Sequence, residues 1–149
     1  SKIEFSSDFI IGYPGEDKKD FESTIELIQR IKFINSYSYI FSPRPGTVAA
    51  DLKLIDKNVS KERLEKIQKQ LFENQININK YLENTTINVL VENLTEDKSK
   101  VFGRSEYMTS VVFNGTKSDI GSIVPVNIKK SNRSTLFGEL IVNKNQKVA

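Results

Sequence analysis

Apolar positions along this chain keep two different periods, and the change falls near Thr86. Residues 8–41 read as strand, helix, strand. Asp8-Phe9-Ile10-Ile11-Gly12 is a short apolar run closed by turn residues, the pattern of a buried parallel strand. Tyr13-Pro14-Gly15-Glu16 makes the turn, Asp17 suits an N-cap, and Asp20 falls in the first helical turn, where the dipole favours acids. Phe21, Ile25, Ile28 and Ile31 mark one helical face; the helix ends near Lys32, and Tyr37–Phe41 forms the next strand. Two parallel strands and one helix do not make a stable sheet alone. The pattern therefore predicts neighbouring strands from elsewhere, and self-association of residues 1–50 through the open sheet edge without them.

Residues 60–82 predict one long helix with Ser60 as N-cap and Leu64, Ile67, Leu71, Ile78 and Leu82 on one face, interrupted by Asn74 and Gln75. From Thr86 the period becomes two. Five short strands follow, at Thr86–Glu92, Lys100–Arg104, Thr109–Phe113, Ser122–Lys130 and Thr135–Val142. Turn residues separate them, and no helical stretch intervenes, which predicts a small closed barrel of the OB type. Residues 143–149 look frayed. The fold class is thus α/β followed by all-β, divided as residues 1–59, a linking helix over 60–84, and a barrel over 85–149.

Composition narrows the chemistry. The 149 residues include no Cys and no His, which removes disulfides, Cys/His zinc sites, thiol nucleophiles, Ser-His-Asp triads and cysteine-ligated iron–sulfur clusters from this chain. No catalytic residue and no metal ligand stands out. No apolar run reaches bilayer length and no export signal is visible, so a cytoplasmic setting without membrane contact is expected; the chain also lacks an initiator Met, as a piece of a longer protein would. The net charge of +3 is unevenly spread. Residues 1–84 hold 13 basic and 13 acidic side chains, whereas residues 85–149 hold 9 and 6, so the excess belongs to the predicted barrel.

Two loops could hold a ligand. Ser42-Pro43-Arg44-Pro45-Gly46-Thr47 follows a strand, and two prolines fix the backbone on either side of Arg44, whose guanidinium suits an anionic or planar ligand. Gly12-Tyr13-Pro14-Gly15-Glu16 joins a strand end to a helix start, where glycines allow close backbone approach and free N–H groups face an anion. Glu16 could accept from an amine or a ribose hydroxyl, or cap its own helix. In the barrel, Lys98, Lys100, Arg104, Lys129, Lys130 and Arg133 lie on or near loops, with Phe102, Tyr107 and Phe113 interleaved. Basic groups for phosphates and aromatics for bases make an RNA-binding surface. Phe113 and Phe137 are expected in the core, which leaves Tyr107, in a polar loop, as the stacking side chain.

Three groups of segments, in order, resemble one family. They are Asp8–Glu16 with Asp20-Phe21-Glu22; Tyr39–Thr47 with Ala49-Ala50; and Val89–Glu92, Phe102-Gly103-Arg104, Val111–Phe113 and Leu136–Leu140 together. The chain is similar to the C-terminal part of the radical-SAM tRNA methylthiotransferases, in the branch that acts on isopentenyladenosine beside the anticodon. Its last third resembles their TRAM domain, a barrel associated with RNA. The resemblance implies a βαβ remnant of a radical-SAM partial (β/α) barrel, a linking helix and a five-stranded TRAM barrel. It also implies S-adenosylmethionine and two 4Fe–4S clusters as cofactors of the full-length enzyme, with no cluster ligand here and no activity from this chain by itself. Its partners would be a tRNA anticodon stem-loop and the missing N-terminal portion of the same enzyme.

By the resemblance, Ile10 and Gly12 fall on the strand facing the cofactor's adenine, and Ser42, Arg44 and Gly46 at the last barrel strand's end. Gly15 and Glu16 complete the expected cofactor set. The RNA set is Lys98, Lys100, Arg104, Tyr107, Lys129, Lys130 and Arg133. Two departures stand out: Asn93 replaces a usual glycine, where a left-handed conformation is expected, and Ser105–Ser110 replaces a stretch commonly holding Asn and Arg. Alternatives are a TRAM module that binds RNA without catalysis, a methylthiotransferase acting on a ribosomal protein, and an interaction protein without a nucleic-acid partner. The Ser42–Gly46 loop favours the tRNA branch over the protein-modifying one, which usually carries acidic residues there.

Overall fold

A computed structural model describes residues 3–141, which divide into two compact units between residues 75 and 76. The first unit has β1 (Asp8–Ile11), α1 (Lys18–Ile31) and β2 (Tyr37–Ile40), followed by the start of α2 (Lys57–Tyr81). β1 and β2 pair in parallel with Ile10 opposite Tyr39. α1 begins at the expected N-cap, Asp17, and adds a capping box: Asp17 Oδ1 accepts from the Asp20 amide and Asp20 Oδ2 accepts from the Asp17 amide. It ends at Lys32, in a left-handed conformation (φ 55°).

The core of this unit gathers Phe9, Ile11, Phe21, Ile28, Ile67 and Leu71, so residues 57–75 of α2 pack as part of it. β1 is not buried on both faces. Phe9 and Ile11 point into the core while Ile10 is 60% exposed, and Tyr37 and Tyr39 lie open on β2. Ile31 also lies exposed, off the face that the sequence pattern assigned it. α2 starts earlier than expected. Asp56, not Ser60, takes the capping role, accepting from the Asn58 and Val59 amides. Ser60 is buried instead, and a Cβ on Gly12 (φ 74°) would stand 2.5 Å from its Oγ. The polar interruption at Asn74 and Gln75 has a purpose. Buried Asn74 donates to the Ile28 carbonyl at 3.2 Å, and Gln75 accepts from the Asn35 amide at 2.6 Å, so both satisfy backbone groups at the exit from α1.

The second unit is a closed barrel in the order β3-β4-β5-β7-β6, built from β3 (Thr86–Leu94), β4 (Val101–Ser105), β5 (Ser110–Asn114), β6 (Ile123–Ser131) and β7 (Thr135–Leu140). β5 and β7 are parallel and the other pairs antiparallel, as in an OB-like Greek key. The five expected strands are all present within a residue or two; Val142 and residues 143–149 lie outside the described residues. Inward positions alternate as Ile87, Val89, Val91; Val101; Val111, Phe113; Val126, Ile128; and Leu136.

Two bulges bend the wall, one between Val91 and Asn93 and one between Ile128 and Lys130. Each faces a Phe-Gly pair: Gly103 and Phe102 oppose the first, Gly138 and Phe137 the second. The glycines point inward, where backbone approaches too closely for a side chain. A Cβ on Gly103 would collide with the Leu90 carbonyl oxygen, and one on Gly138 would stand 2.6 Å from that of Asn127. Asn93 sits beside a bulge without a positive φ, correcting the left-handed expectation; its side chain accepts from the Leu94 amide.

Candidate functional site

In the first unit a groove of about 520 Å³ opens on the exposed face of the β1–β2 sheet, lined by Ile10, Tyr39, Phe41, Ser42, Arg44 and Thr47 among others. Its floor is the outward side of the pleat. Its rim is the proline loop, which folds as a turn: the Thr47 amide and hydroxyl both donate to the Arg44 carbonyl, at 3.2 and 2.8 Å, and Gly46 takes the positive φ (81°) that this turn needs. Arg44 is exposed, with no carboxylate within salt-bridge distance among the described residues. Ile10 and Arg44 of the expected cofactor set therefore share one groove.

Gly12, Gly15 and Glu16 lie elsewhere. The Gly12 amide donates to Glu16 Oε2 at 2.9 Å, and Glu16 Oε1 meets Arg63 Nη1 at 2.6 Å. Arg63 also donates to the Glu16 carbonyl and lies 5.4 Å over the Phe21 ring. Glu16 thus neither caps its helix, which Asp17 does, nor presents a free carboxylate. Its side chain is 13% exposed and serves to close its own loop.

The barrel separates the cationic residues that sequence order grouped. Lys98 and Lys100 lie in the β3–β4 loop. Tyr107, half-buried in the β4–β5 hairpin, and Arg133, between β6 and β7, lie at the opposite end. On the wall, Arg104 approaches Glu92 at 3.6 Å and donates to the Met108 carbonyl, while Lys129 approaches Glu139 at 3.5 Å. Both carboxylates and both cations sit at the two bulges. Lys98, Lys100 and Lys130 have no carboxylate within salt-bridge distance among the described residues.

Two turns hold the ends of the barrel. Ser105 Oγ accepts from the Tyr107 and Thr109 amides at 3.2 Å each and tightens the β4–β5 hairpin. In the β3–β4 loop Asp97 is bound by the Thr95 hydroxyl at 2.6 Å, the Ser99 hydroxyl at 2.7 Å and the Ser99 amide at 3.1 Å. These bonds, the Thr95 hydroxyl first, lower its carboxyl from the ordinary 3.8 to about 2. A depressed carboxyl supports the loop fully above the unfolded value and loses that support as pH falls towards 2. A carbon-13 titration of the Asp97 carboxyl is therefore expected to show a midpoint near 2, rising in Thr95→Val; a midpoint at the ordinary aspartate value would contradict the bonding described.

The outer face shows what the sequence reading missed. Phe102, Val112, Phe137 and Lys130 are consecutive register partners across β4, β5, β7 and β6. Phe137 is thus not a core residue. It and Phe102 are half-buried on the outside, and neither packs against the interior cluster. The signal was the Phe-Gly pair itself: with period two, a glycine forced inward puts the preceding phenylalanine outside.

The chain is thus a βαβ unit followed by a small OB-like barrel whose outer wall carries basic and aromatic side chains. Residues 80–141 match the TRAM domain family. The chain as a whole is 62% identical over 148 residues to a tRNA-2-methylthio-N(6)-dimethylallyladenosine synthase of Pelagibacter ubique, covering 99% of this chain and 33% of that protein. Synthases of the same name from Vesicomyosocius okutanii and Rickettsia akari are 46% and 39% identical, over 93% of the chain and 32% of their own length. The chain matches the C-terminal part of these synthases, TRAM domain included, and spans about a third of their length. Among the described residues no helix is long and apolar enough to cross a membrane, and no cluster of His, Cys, Asp or Glu could hold a metal ion.

Proposed function

We propose that this chain is the RNA-binding end of a radical-SAM tRNA methylthiotransferase, the enzyme that adds a methylthio group at C2 of isopentenyladenosine beside the anticodon. The observation that carries the reading is collinear identity across both units to synthases of that name. In the whole enzyme the chemistry comes from S-adenosylmethionine and two 4Fe–4S clusters. This chain has no cysteine to offer a cluster and is expected to be inactive alone. Its residues suit one part of S-adenosylmethionine binding: the groove has an apolar floor at Ile10 and Tyr39 for a flat purine, and Arg44 at its rim for a carboxylate. Gly12, Gly15 and Glu16 act there by shaping the strand end. The open face of the two-stranded sheet fits a wall whose remaining strands come from the rest of the enzyme. A cytoplasmic setting follows from the tRNA substrate.

The barrel's share is tRNA binding. Lys98 and Lys100 reach phosphates at one end, Arg133 at the other, and Lys130 along the wall. An anticodon stem-loop RNA is expected to bind this chain with strong salt dependence. Changing Lys98, Lys100, Arg104 and Arg133 to Ala together should flatten the salt slope by about three and weaken binding at least tenfold at moderate salt. Fluorescence anisotropy over a salt series reads both. Unchanged affinity and slope would remove the barrel surface from the proposal.

A further inference from the structure

The Phe102–Val112–Phe137–Lys130 row does not serve the barrel. Its three apolar side chains lie outside, where polar residues would satisfy strand geometry equally well, and the interior is already filled by the opposite face of the same strands. Adjacent strands lie about 4.8 Å apart, so the two rings stand roughly 10 Å from each other across Val112. Sheet surfaces that stack unpaired bases present aromatics on neighbouring strands in this way.

Cations stand at both ends of the row. Of the carboxylates around the row, Glu92 and Glu139 are met by Arg104 and Lys129, while Glu96 and Asp97 share a groove with Lys100 and Val112. Lys130 closes the row without a carboxylate partner. The apolar, ring-bearing strip thus ends on an exposed cation at its β6 edge.

We infer that this row is a stacking platform for unpaired bases of RNA, with Phe102 and Phe137 each carrying a base and Lys130 meeting the phosphate at the platform's edge. The inference rests on the RNA-binding reading and names the site that performs it. It assigns base contact to the barrel wall rather than to Tyr107 in the hairpin.

The test uses the full chain and a fluorescein-labelled hairpin RNA with an unpaired loop, with a perfect duplex as the comparison probe. Phe102→Leu and Phe137→Leu keep the apolar surface and remove the ring. Each is expected to weaken hairpin binding about fivefold to tenfold without changing the salt slope, to leave duplex binding unchanged, and to be rescued by Tyr at the same position. Lys130→Glu, at an exposed position, should weaken binding to both probes and steepen the loss with falling salt. Thermal melting of each variant verifies the fold. If the wild type binds hairpin and duplex alike, or the leucine variants keep full hairpin affinity, the platform is wrong while RNA binding stands. If the wild type shows no salt-dependent binding to either probe, the RNA reading itself fails and takes the platform with it. Loss of self-association in the leucine variants with unaltered RNA affinity would make the row a protein contact and overturn the inference.

Discussion

Replacing Gly103 with alanine is expected to destabilise the barrel severely. The residue faces inward at the point where β4 passes the bulge in β3, and an added methyl would collide with the Leu90 carbonyl oxygen and press on Val89. The obstacle is backbone, so no rotamer change relieves it, and the bulge cannot retreat without losing the Val91–Gly103 pairing. Overpacking a core usually costs about 1–3 kcal/mol, and a clash with main chain belongs at or above the upper end, roughly 3–5 kcal/mol. A domain of this size holds only about 4–10 kcal/mol in total. Gly138→Ala should follow, somewhat more mildly, because Val126 can yield part of the space while the Asn127 carbonyl cannot. Gly121→Ala is the comparison. Its Cβ would meet open space, and only the positive φ of 85° is strained, at about 1–2 kcal/mol. Urea unfolding monitored by NMR resonances of β4 and β7 ranks the three. Gly103→Ala no worse than Gly121→Ala would show that the bulge accommodates a side chain and that the Phe-Gly pairs have another cause.

How far the sequence led depends on whether the decisive contact was local. Strand positions in the barrel were legible because polar turns bracket short alternating runs, and the α1 cap was legible because Asp17 and Asp20 act on each other. The faces of Phe102 and Phe137 were not. A bulge on the partner strand sets the register, and nothing within β4 or β7 announces it except the neighbouring glycine. The same limit explains β1, whose apolar run reads identically whether one face or both are covered. Ser60 is as good a cap as Asp56 by type; only the packing of Gly12 against it shows that the helix had already begun. Of the expected cofactor set, Ile10 and Arg44 line one groove, whereas Lys100 and Arg133 of the expected RNA set are sent to opposite ends by closure of the barrel.

The least legible contact carries the second large effect. Arg63→Met is expected to destabilise the first unit by roughly 2–4 kcal/mol, because it leaves the Glu16 carboxylate, 13% exposed, without its cation. Three groups depend on that guanidinium: Glu16 Oε1 at 2.6 Å, the Glu16 carbonyl at 2.9 Å, and the Phe21 ring beneath it. Glu16→Gln strands the opposite charge, the Arg63 guanidinium at 14% exposure, and its single amide oxygen can accept from Gly12 or from Arg63 but not from both, so it should cost a similar amount, roughly 2–4 kcal/mol. The two changes together should cost less than their sum, which a double-mutant cycle measures directly. Lysine at 63 restores the charge but not the flat surface over Phe21, so it should recover only part. A structural role confined to stability would leave the loop unchanged in the folded state. The geometry instead predicts that Arg63→Met raises hydrogen exchange at the Gly12 amide before global unfolding, since that amide's acceptor is the carboxylate Arg63 holds in place. Unaltered protection at Gly12, with stability within about 0.5 kcal/mol of wild type, would mean that Glu16 stays seated without its cation and that the β1–α1 loop is held by Ser60 packing alone.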